Sequence, residues 1–211
     1  MIDTFYIIDF LEQISFDLVL EFLAATLGVF SVWFAKKNKV LVYPTGIIST
    51  LIYIWILFKN QLLGDLIINA YFFLMSIYGW FFWSKKDKGN FKNKISRMNL
   101  VESIFGLTVF IFSLFTIMYL YNVSNWQESY VSSIDTFTTA IFCSAMWFMA
   151  RRKVEHWILW IIGDVISVPL YFYKGLYLTS IQYLIFTIIA ILGFFTWLKE
   201  LNKNKLTVKG L

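Results

Sequence analysis

The stretch that decides the fold reads WFAKKNKV at residues 33–40, and a close copy, WFMARRKV, stands 114 positions further on at residues 147–154. The same displacement, without a gap, carries Trp83 onto Trp197. Tryptophans and clustered basic residues are scarce in so apolar a chain, so chance does not account for their coincidence. The chain therefore contains an internal duplication, and duplicated hydrophobic units are a signature of membrane transporters.

The composition indicates an integral membrane protein. Of 211 residues, 59% are hydrophobic and only 15% are charged, which is too little polar surface to cover a soluble domain. The apolar residues also fall in runs of about 18 or more, long enough to cross the hydrocarbon of a bilayer as helices. We therefore predict an all-α integral membrane fold.

The hydrophobic runs predict seven transmembrane helices at about 16–35, 40–58, 62–83, 100–121, 134–150, 154–173 and 176–198. The duplication groups them as two parallel three-helix repeats joined by a linker helix, a 3+1+3 arrangement. Because three is an odd number, the linker helix is needed to give both copies the same orientation. The predicted segments are an extracytoplasmic N-terminal segment at 1–15, the first repeat at 16–83, a cytoplasmic linker with the linker helix at 84–121, the second repeat at 122–198 and a cytoplasmic tail at 199–211.

The positions of lysine and arginine predict the orientation. Of the 18 basic residues, 16 lie in alternate loops and in the carboxyl-terminal tail, and two lie in the remaining loops. The positive-inside rule then places the amino terminus outside and the carboxyl terminus in the cytoplasm. His156 stands beside the basic residues 151–153, and we interpret it as an interfacial residue at the start of a helix.

Polar residues deep in membrane helices are costly and mark a cavity or a partner helix. Residues three or four apart share a helix face, which predicts three inward stripes of polar and aromatic side chains. The candidate substrate-binding residues on these stripes are Asn69, Phe72, Phe73, Ser76, Trp80, Trp160, Asp164, Ser167, Gln182 and Phe186. Helix–helix seams also favour small and polar residues, so the alternative is that the stripes are packing surfaces. Glu21 and Asp135, which open the two repeats, are interpreted as structural or gating groups.

The sequence does not favour an enzyme or a nucleic-acid-binding protein. We find no phosphate-binding glycine loop, histidine-rich metal set or nucleophile with a base at a recognisable spacing, and so expect no catalytic residue, metal or cofactor. The basic residues are distributed over loops rather than along one face, which argues against nucleic acid. The competing class is a membrane receptor without transport, which leaves the duplication unexplained.

Two groups of motifs resemble the PnuC-type nicotinamide riboside transporter family. Residues 43–49 (YPTGIIS) and 77–83 (IYGWFFW) are similar to its first repeat. Residues 157–160 (WILW), 164–171 (DVISVPLY) and 174–177 (KGLY) are similar to its second.

The resemblance implies a protein of the bacterial cytoplasmic (inner) membrane that resembles the sugar-carrying SWEETs in fold. It also implies facilitated diffusion of nicotinamide riboside, trapping by cytoplasmic phosphorylation, and homotrimers surrounded by membrane lipids. A cationic ring is attracted to aromatic faces, tryptophan above all, and ribose hydroxyls and a carboxamide need donors and acceptors such as Asn69 and Gln182. In this interpretation Trp80 or Trp160 supplies the ring face, and Asp164 offsets the cation or positions a neighbour. Thiamine also has a cationic ring, and relatives of the family carry thiamine or riboflavin, so thiamine is the alternative substrate.

Overall fold

The computed structural model describes residues 16–59, 63–87, 90–91, 93–123, 130–173, 175 and 177–209. Within them lie seven helices: α1 (Phe16–Lys36), α2 (Val42–Lys59), α3 (Leu63–Ser84), α4 (Leu100–Val123), α5 (Tyr130–Ala150), α6 (His156–Tyr173) and α7 (Tyr177–Lys209). Between α3 and α4, a short antiparallel ladder joins β1 (Lys86–Asp87) to β2 (Asn90–Phe91). The N-terminal segment predicted at residues 1–15 lies outside the described residues.

Within the described residues, six helices are long and apolar enough to cross a membrane: α1 to α4, α6 and α7. Helix α5 is the exception because serines and threonines occur along much of its length. Residues 140–146 of α5 are all buried, and α5 packs against α3, α4 and α6. A helix that its neighbours shield from lipid needs no apolar surface on every side. A helix is thus present where the fifth span was expected, and its crossing of the membrane stays a prediction.

The predicted helix bounds agree with the structure to within a few residues except at the carboxyl end. Helix α7 continues to Lys209, whereas the sequence predicted a tail from residue 199 onward. Leu201 is buried, and Glu200 Oε1 accepts a hydrogen bond of 2.8 Å from Asn38 Nδ2 in the turn after α1. These long-range contacts hold the first residues beyond 199 in the helix, and no local pattern in the sequence indicates them.

The helices pack in two consecutive sets, α1–α2–α3 and α5–α6–α7, with α4 lying mainly against α5. Among the described residues, two contacts between helix pairs dominate where the sets meet, one between α1 and α7 and the other between α3 and α5. The displacement of 114 residues that relates the duplicated sequences turns the first of these contacts into the second. In each set, the first and third helices therefore make the main contacts with the other set.

The turns that follow α1 and α5 have the same backbone conformation. Asn38 and Arg152, 114 residues apart, both have positive φ angles, of 54° and 57°. In each turn the next backbone N–H reaches back five residues, from Lys39 to Phe34 O at 2.9 Å and from Lys153 to Phe148 O at 3.0 Å. This pattern is a helix end closed by a left-handed residue. Asparagine adopts that conformation readily, whereas arginine does so at a cost in backbone energy that its surroundings must offset.

Candidate functional site

Four aromatic rings of the second helix set form a column. Trp160 of α6 stacks on Phe142 of α5 with centroids 5.2 Å apart, and Phe142 stacks on Tyr183 of α7 at 5.9 Å. Tyr171 also stacks on Tyr183, with centroids 5.0 Å apart. Phe72 of α3 reaches Trp160 from the first helix set, with centroids 6.5 Å apart. The column therefore begins where the two sets meet, and aromatic surface is available there for a flat ring.

A glycine makes the column possible. A Cβ atom added at Gly163 of α6 would lie 2.3 Å from Phe142 Cε1, far inside ordinary contact distance. Only glycine at this position lets the Phe142 ring rest on the backbone of α6 and keep its place between Trp160 and Tyr183. Sequence reasoning selected Trp160 but not Phe142 or Tyr183, although a glycine inside an apolar helix is a signal of close approach.

Helix α7 brings the predicted residues Gln182 and Phe186 against the first helix set. A Cβ atom placed at Gly28 of α1 would lie 3.5 Å from Ser49 Oγ, 3.9 Å from Phe186 Cζ and 4.0 Å from Gln182 Nε2. Phe186 also contacts Tyr183, with ring centroids 6.0 Å apart. Gln182 and Phe186 therefore lie between the two sets, and Phe186 contacts the aromatic column at Tyr183.

The predicted stripe on α3 is only partly enclosed. Ser76 is buried, and its hydroxyl would lie 3.7 Å from a Cβ atom at Gly46 of α2. Asn69 and Phe73 are half-buried. Trp80 is 43% exposed, whereas Trp160 contacts both Phe72 and Phe142. Of the two tryptophans considered as a ring face, Trp160 is the one that the structure brings together with other candidate residues.

Two candidate residues on α6 have buried polar atoms that lack partners. Asp164 is 2% exposed and Ser167 is fully buried. Among the described residues, no hydrogen-bond partner is found for Asp164 Oδ1 or for Ser167 Oγ. They follow Trp160 at intervals of four and three residues, so the three side chains share one face of the helix. Buried polar atoms without a partner are uncommon in proteins and need an explanation.

The two carboxylates interpreted as structural or gating groups have different surroundings. Asp135 of α5 accepts a hydrogen bond of 2.6 Å from the Tyr121 hydroxyl, which ties α4 to α5. Glu21 of α1 is exposed. The contact at Asp135 supports a structural interpretation of that residue.

The end of the helix bundle that carries the turns 36–41 and 151–155, here called the basic end, is closed by contacts between the two sets. The Trp83 indole N–H lies 3.2 Å from the carbonyl oxygens of Met149 and Ala150. The Trp197 indole N–H donates to Ala35 O at 3.0 Å. Each tryptophan therefore bonds the end of the first helix of the other set, and sequence reasoning did not identify this reciprocal pair.

A buried arginine occupies the same end. Arg152 donates to Asn93 O at 2.7 Å and to Asn38 Oδ1, and its guanidinium lies 4.5 Å from the centre of the Trp83 ring. Burial lowers the pKa of Arg152 to about 10, so the side chain remains charged at neutral pH. The sequence pattern indicated only a charge that sets orientation, whereas the structure shows a side chain that links the turn after α1 to the turn after α5.

The structure buries His156 inside the protein, and its depth at the membrane interface stays a prediction. The ring is fully buried, with centroids 4.4 Å from Trp157 and 4.8 Å from Trp197, and Nδ1 lies 2.6 Å from Lys153 O. The rings of Trp157 and Trp197 enclose His156, and its place beside basic residues in the sequence did not indicate this burial.

The comparisons with known proteins agree with this architecture. A profile of the family described as nicotinamide mononucleotide transporter matches residues 18–199. The chain belongs to this transporter family. It is accordingly a multi-pass membrane protein of the PnuC type, as the motifs of both repeats predicted.

Three relatives illustrate the range of the family. The nicotinamide riboside transporter PnuC of Escherichia coli K12 is 29% identical over 208 residues, covering 88% of this chain and 87% of the relative. PnuC of Haemophilus influenzae is 26% identical, covering 84% and 78%. The riboflavin/roseoflavin transporter RibM of Streptomyces davaonensis is 24% identical, covering 81% and 80%. These relatives are transporters rather than enzymes, and their named substrates differ.

A solved structure shares the fold. The crystal structure of the vitamin B3 transporter PnuC superposes with a TM-score of 0.66 and 19% sequence identity, covering 87% of this chain and 82% of that one. At this identity the likeness concerns the path of the backbone and not the substrate.

Proposed function

We propose that this protein imports nicotinamide riboside across the bacterial cytoplasmic membrane by facilitated diffusion, and that phosphorylation in the cytoplasm traps the vitamin. The observation that carries the proposal is the meeting of Phe72 and Trp160 across the two helix sets. Asp164 Oδ1 and Ser167 Oγ, for which no hydrogen-bond partner is found among the described residues, follow Trp160 along α6 at about one and two helical turns. A cationic aromatic ring joined to a ribose needs ring faces beside polar groups. Relatives named nicotinamide riboside transporters support this choice of substrate.

The proposed architecture is two parallel three-helix repeats, α1–α3 and α5–α7, joined by α4. The equivalent turns at Asn38 and Arg152 and the equivalent contacts α1–α7 and α3–α5 support it. With both repeats in the same orientation, the basic end faces the cytoplasm by the positive-inside rule, and the amino terminus lies outside. Assembly as a homotrimer stays a prediction from the family resemblance.

In the proposed site, substrate binds between the repeats near the middle of the membrane. Asn69 and Gln182 hold the hydroxyls or the carboxamide, and Trp160 supplies the ring face. The remaining members of the proposed lining are Phe72, Phe73, Ser76, Ser167 and Phe186. Trp80 stays in the proposal as a second aromatic surface on α3.

Two other vitamins compete with nicotinamide riboside. Thiamine suits the same combination of ring faces and polar groups because it also has a cationic ring. Riboflavin is supported by the relative named a riboflavin/roseoflavin transporter. Uptake of each labelled vitamin into proteoliposomes that contain the purified protein, with the other two as competitors, decides among them. We expect nicotinamide riboside to enter fastest, and its uptake to be the least inhibited by the other two vitamins. Faster entry of thiamine or riboflavin would refute the substrate assignment, and binding without flux would favour a receptor.

A further inference from the structure

The surroundings of the Asp164 carboxyl group disfavour a negative charge. It is 2% exposed near the middle of α6, and among the described residues no salt bridge includes it. An ionised carboxylate without a cationic partner is very costly in an apolar interior, much more so than the neutral acid. An ionised Asp164 therefore needs a cation beside it.

Among the described residues, the helices that pack around Asp164 supply no such cation. Helix α6 packs against α5 and α7. Residues 130–150 of α5, 156–173 of α6 and 177–198 of α7 include no lysine or arginine. Their titratable groups include Tyr171 and Tyr183, which stack with centroids 5.0 Å apart, and Asp135 of α5. The tyrosines are neutral at physiological pH and Asp135 can only add negative charge. A positive charge that stabilises ionised Asp164 must come from outside the described residues.

The proposed substrate brings such a charge. We propose that Asp164 holds a proton in the empty site and releases it when the cationic ring of the substrate binds beside Trp160, so that the site selects cationic over uncharged vitamins. This inference rests on the proposed function. The O–H bond of the acid breaks, the proton passes to solvent, and the carboxylate pairs with the pyridinium cation. The Ser167 hydroxyl, one turn further along α6 and without a partner among the described residues, is available to donate to the carboxylate or to the ribose.

Proton release gives the proposal a readout that a packing role lacks. Two ligands are compared, nicotinamide riboside and its uncharged dihydro form, which keeps the carboxamide and the ribose. Calorimetry of the purified protein in buffers with different ionisation enthalpies then counts the protons released. We expect close to one proton for nicotinamide riboside and none for the dihydro form. The dissociation constant for the cation should fall with rising pH, by up to about tenfold per pH unit, while Asp164 is protonated in the empty protein and ionised in the complex.

Asp164→Asn is the decisive variant because it resembles the neutral acid and cannot ionise. We expect it to abolish proton release and to lower the preference for the cation over the dihydro form about tenfold or more, or 1.4 kcal/mol. Asp135→Asn is the matched control and should keep both properties. If Asp135→Asn abolished proton release and Asp164→Asn did not, the released proton would come from Asp135. That result would overturn the assignment.

Binding measurements on the wild-type protein distinguish failure of the Asp164 proposal from failure of the proposed function. Binding of nicotinamide riboside without proton release would overturn the role of Asp164 and leave the proposed function standing. Absence of nicotinamide riboside binding would overturn both. Because proton counting needs only the wild-type protein, the inference remains refutable even if a variant fails to fold.

Discussion

The Gly163→Ala substitution should disrupt the aromatic column by adding one methyl group. The new Cβ atom would lie 2.3 Å from Phe142 Cε1 and 2.9 Å from Cδ1 and Cζ, whereas ordinary contacts are 3.4–4 Å. The Phe142 ring would have to retreat by about 1 Å, but Trp160 and Tyr183 stack on it at 5.2 and 5.9 Å. A shift of the Phe142 ring must therefore also displace Trp160, the ring proposed to bind substrate.

The Gly28→Ala substitution provides a matched control for the size of this effect. It adds the same methyl group within a helix, but its nearest neighbours lie at 3.5–4.0 Å, so that methyl group fits. Both variants share the gain in helix propensity of about 1 kcal/mol, which cancels in the comparison. Overpacking costs about 1–3 kcal/mol. At roughly 2–4 °C per kcal/mol for a chain of this size, Gly163→Ala should melt about 2–12 °C below Gly28→Ala.

Thermal unfolding of the two detergent-purified variants, followed by titration with nicotinamide riboside, measures both consequences. We expect Gly163→Ala to melt lower and to bind more weakly than wild type, because Trp160 is displaced together with Phe142. Equal melting temperatures for the two variants would refute the close packing of Phe142 on α6. Normal binding by a destabilised Gly163→Ala protein would show that substrate binding does not depend on the aromatic column.

Two further predictions test the site and the orientation. Asn69→Ala and Gln182→Ala should each weaken nicotinamide riboside binding about 5- to 150-fold, the equivalent of one buried hydrogen bond to the ligand. Normal binding by both variants, or misfolding of both, would show that the site assignment is wrong. A cysteine placed in the linker between Lys85 and Arg97 should resist an impermeant thiol reagent added to intact cells, whereas one placed near Gln127 should react, and the reverse pattern would overturn the proposed orientation.

Much of the fold could be predicted because hydrophobic runs and the internal repeat are local properties of the sequence. The helix bounds agree to within a few residues, and the duplicated turns at Asn38 and Arg152 lie where the repeat places them. Helix α5 can carry polar residues because other helices cover it. The extension of α7 depends on a contact between Glu200 and Asn38. Neither tertiary contact leaves a local signal.

The site could be predicted one helix at a time but not across helices. Helical spacing selected Phe72, Trp160 and Asp164, and the structure brings Phe72 and Trp160 together. Phe142 was missed because its importance comes from a glycine on a different helix, Gly163. The repeats also differ here, since the displacement of 114 residues places Gly28 on Phe142. A glycine in the first set therefore stands where a large ring stands in the second, and the pairing of repeats alone does not reveal this difference.

The most direct test of the account is the time course of labelled nicotinamide riboside in proteoliposomes with equal pH on both sides and no membrane potential. The account predicts protein-dependent entry that stops when the internal concentration equals the external one. Enclosing a ribosylnicotinamide kinase with ATP should then carry the internal label above that level. Entry no faster than into protein-free liposomes would contradict transport of this vitamin, and accumulation above the external concentration without the kinase would contradict facilitated diffusion.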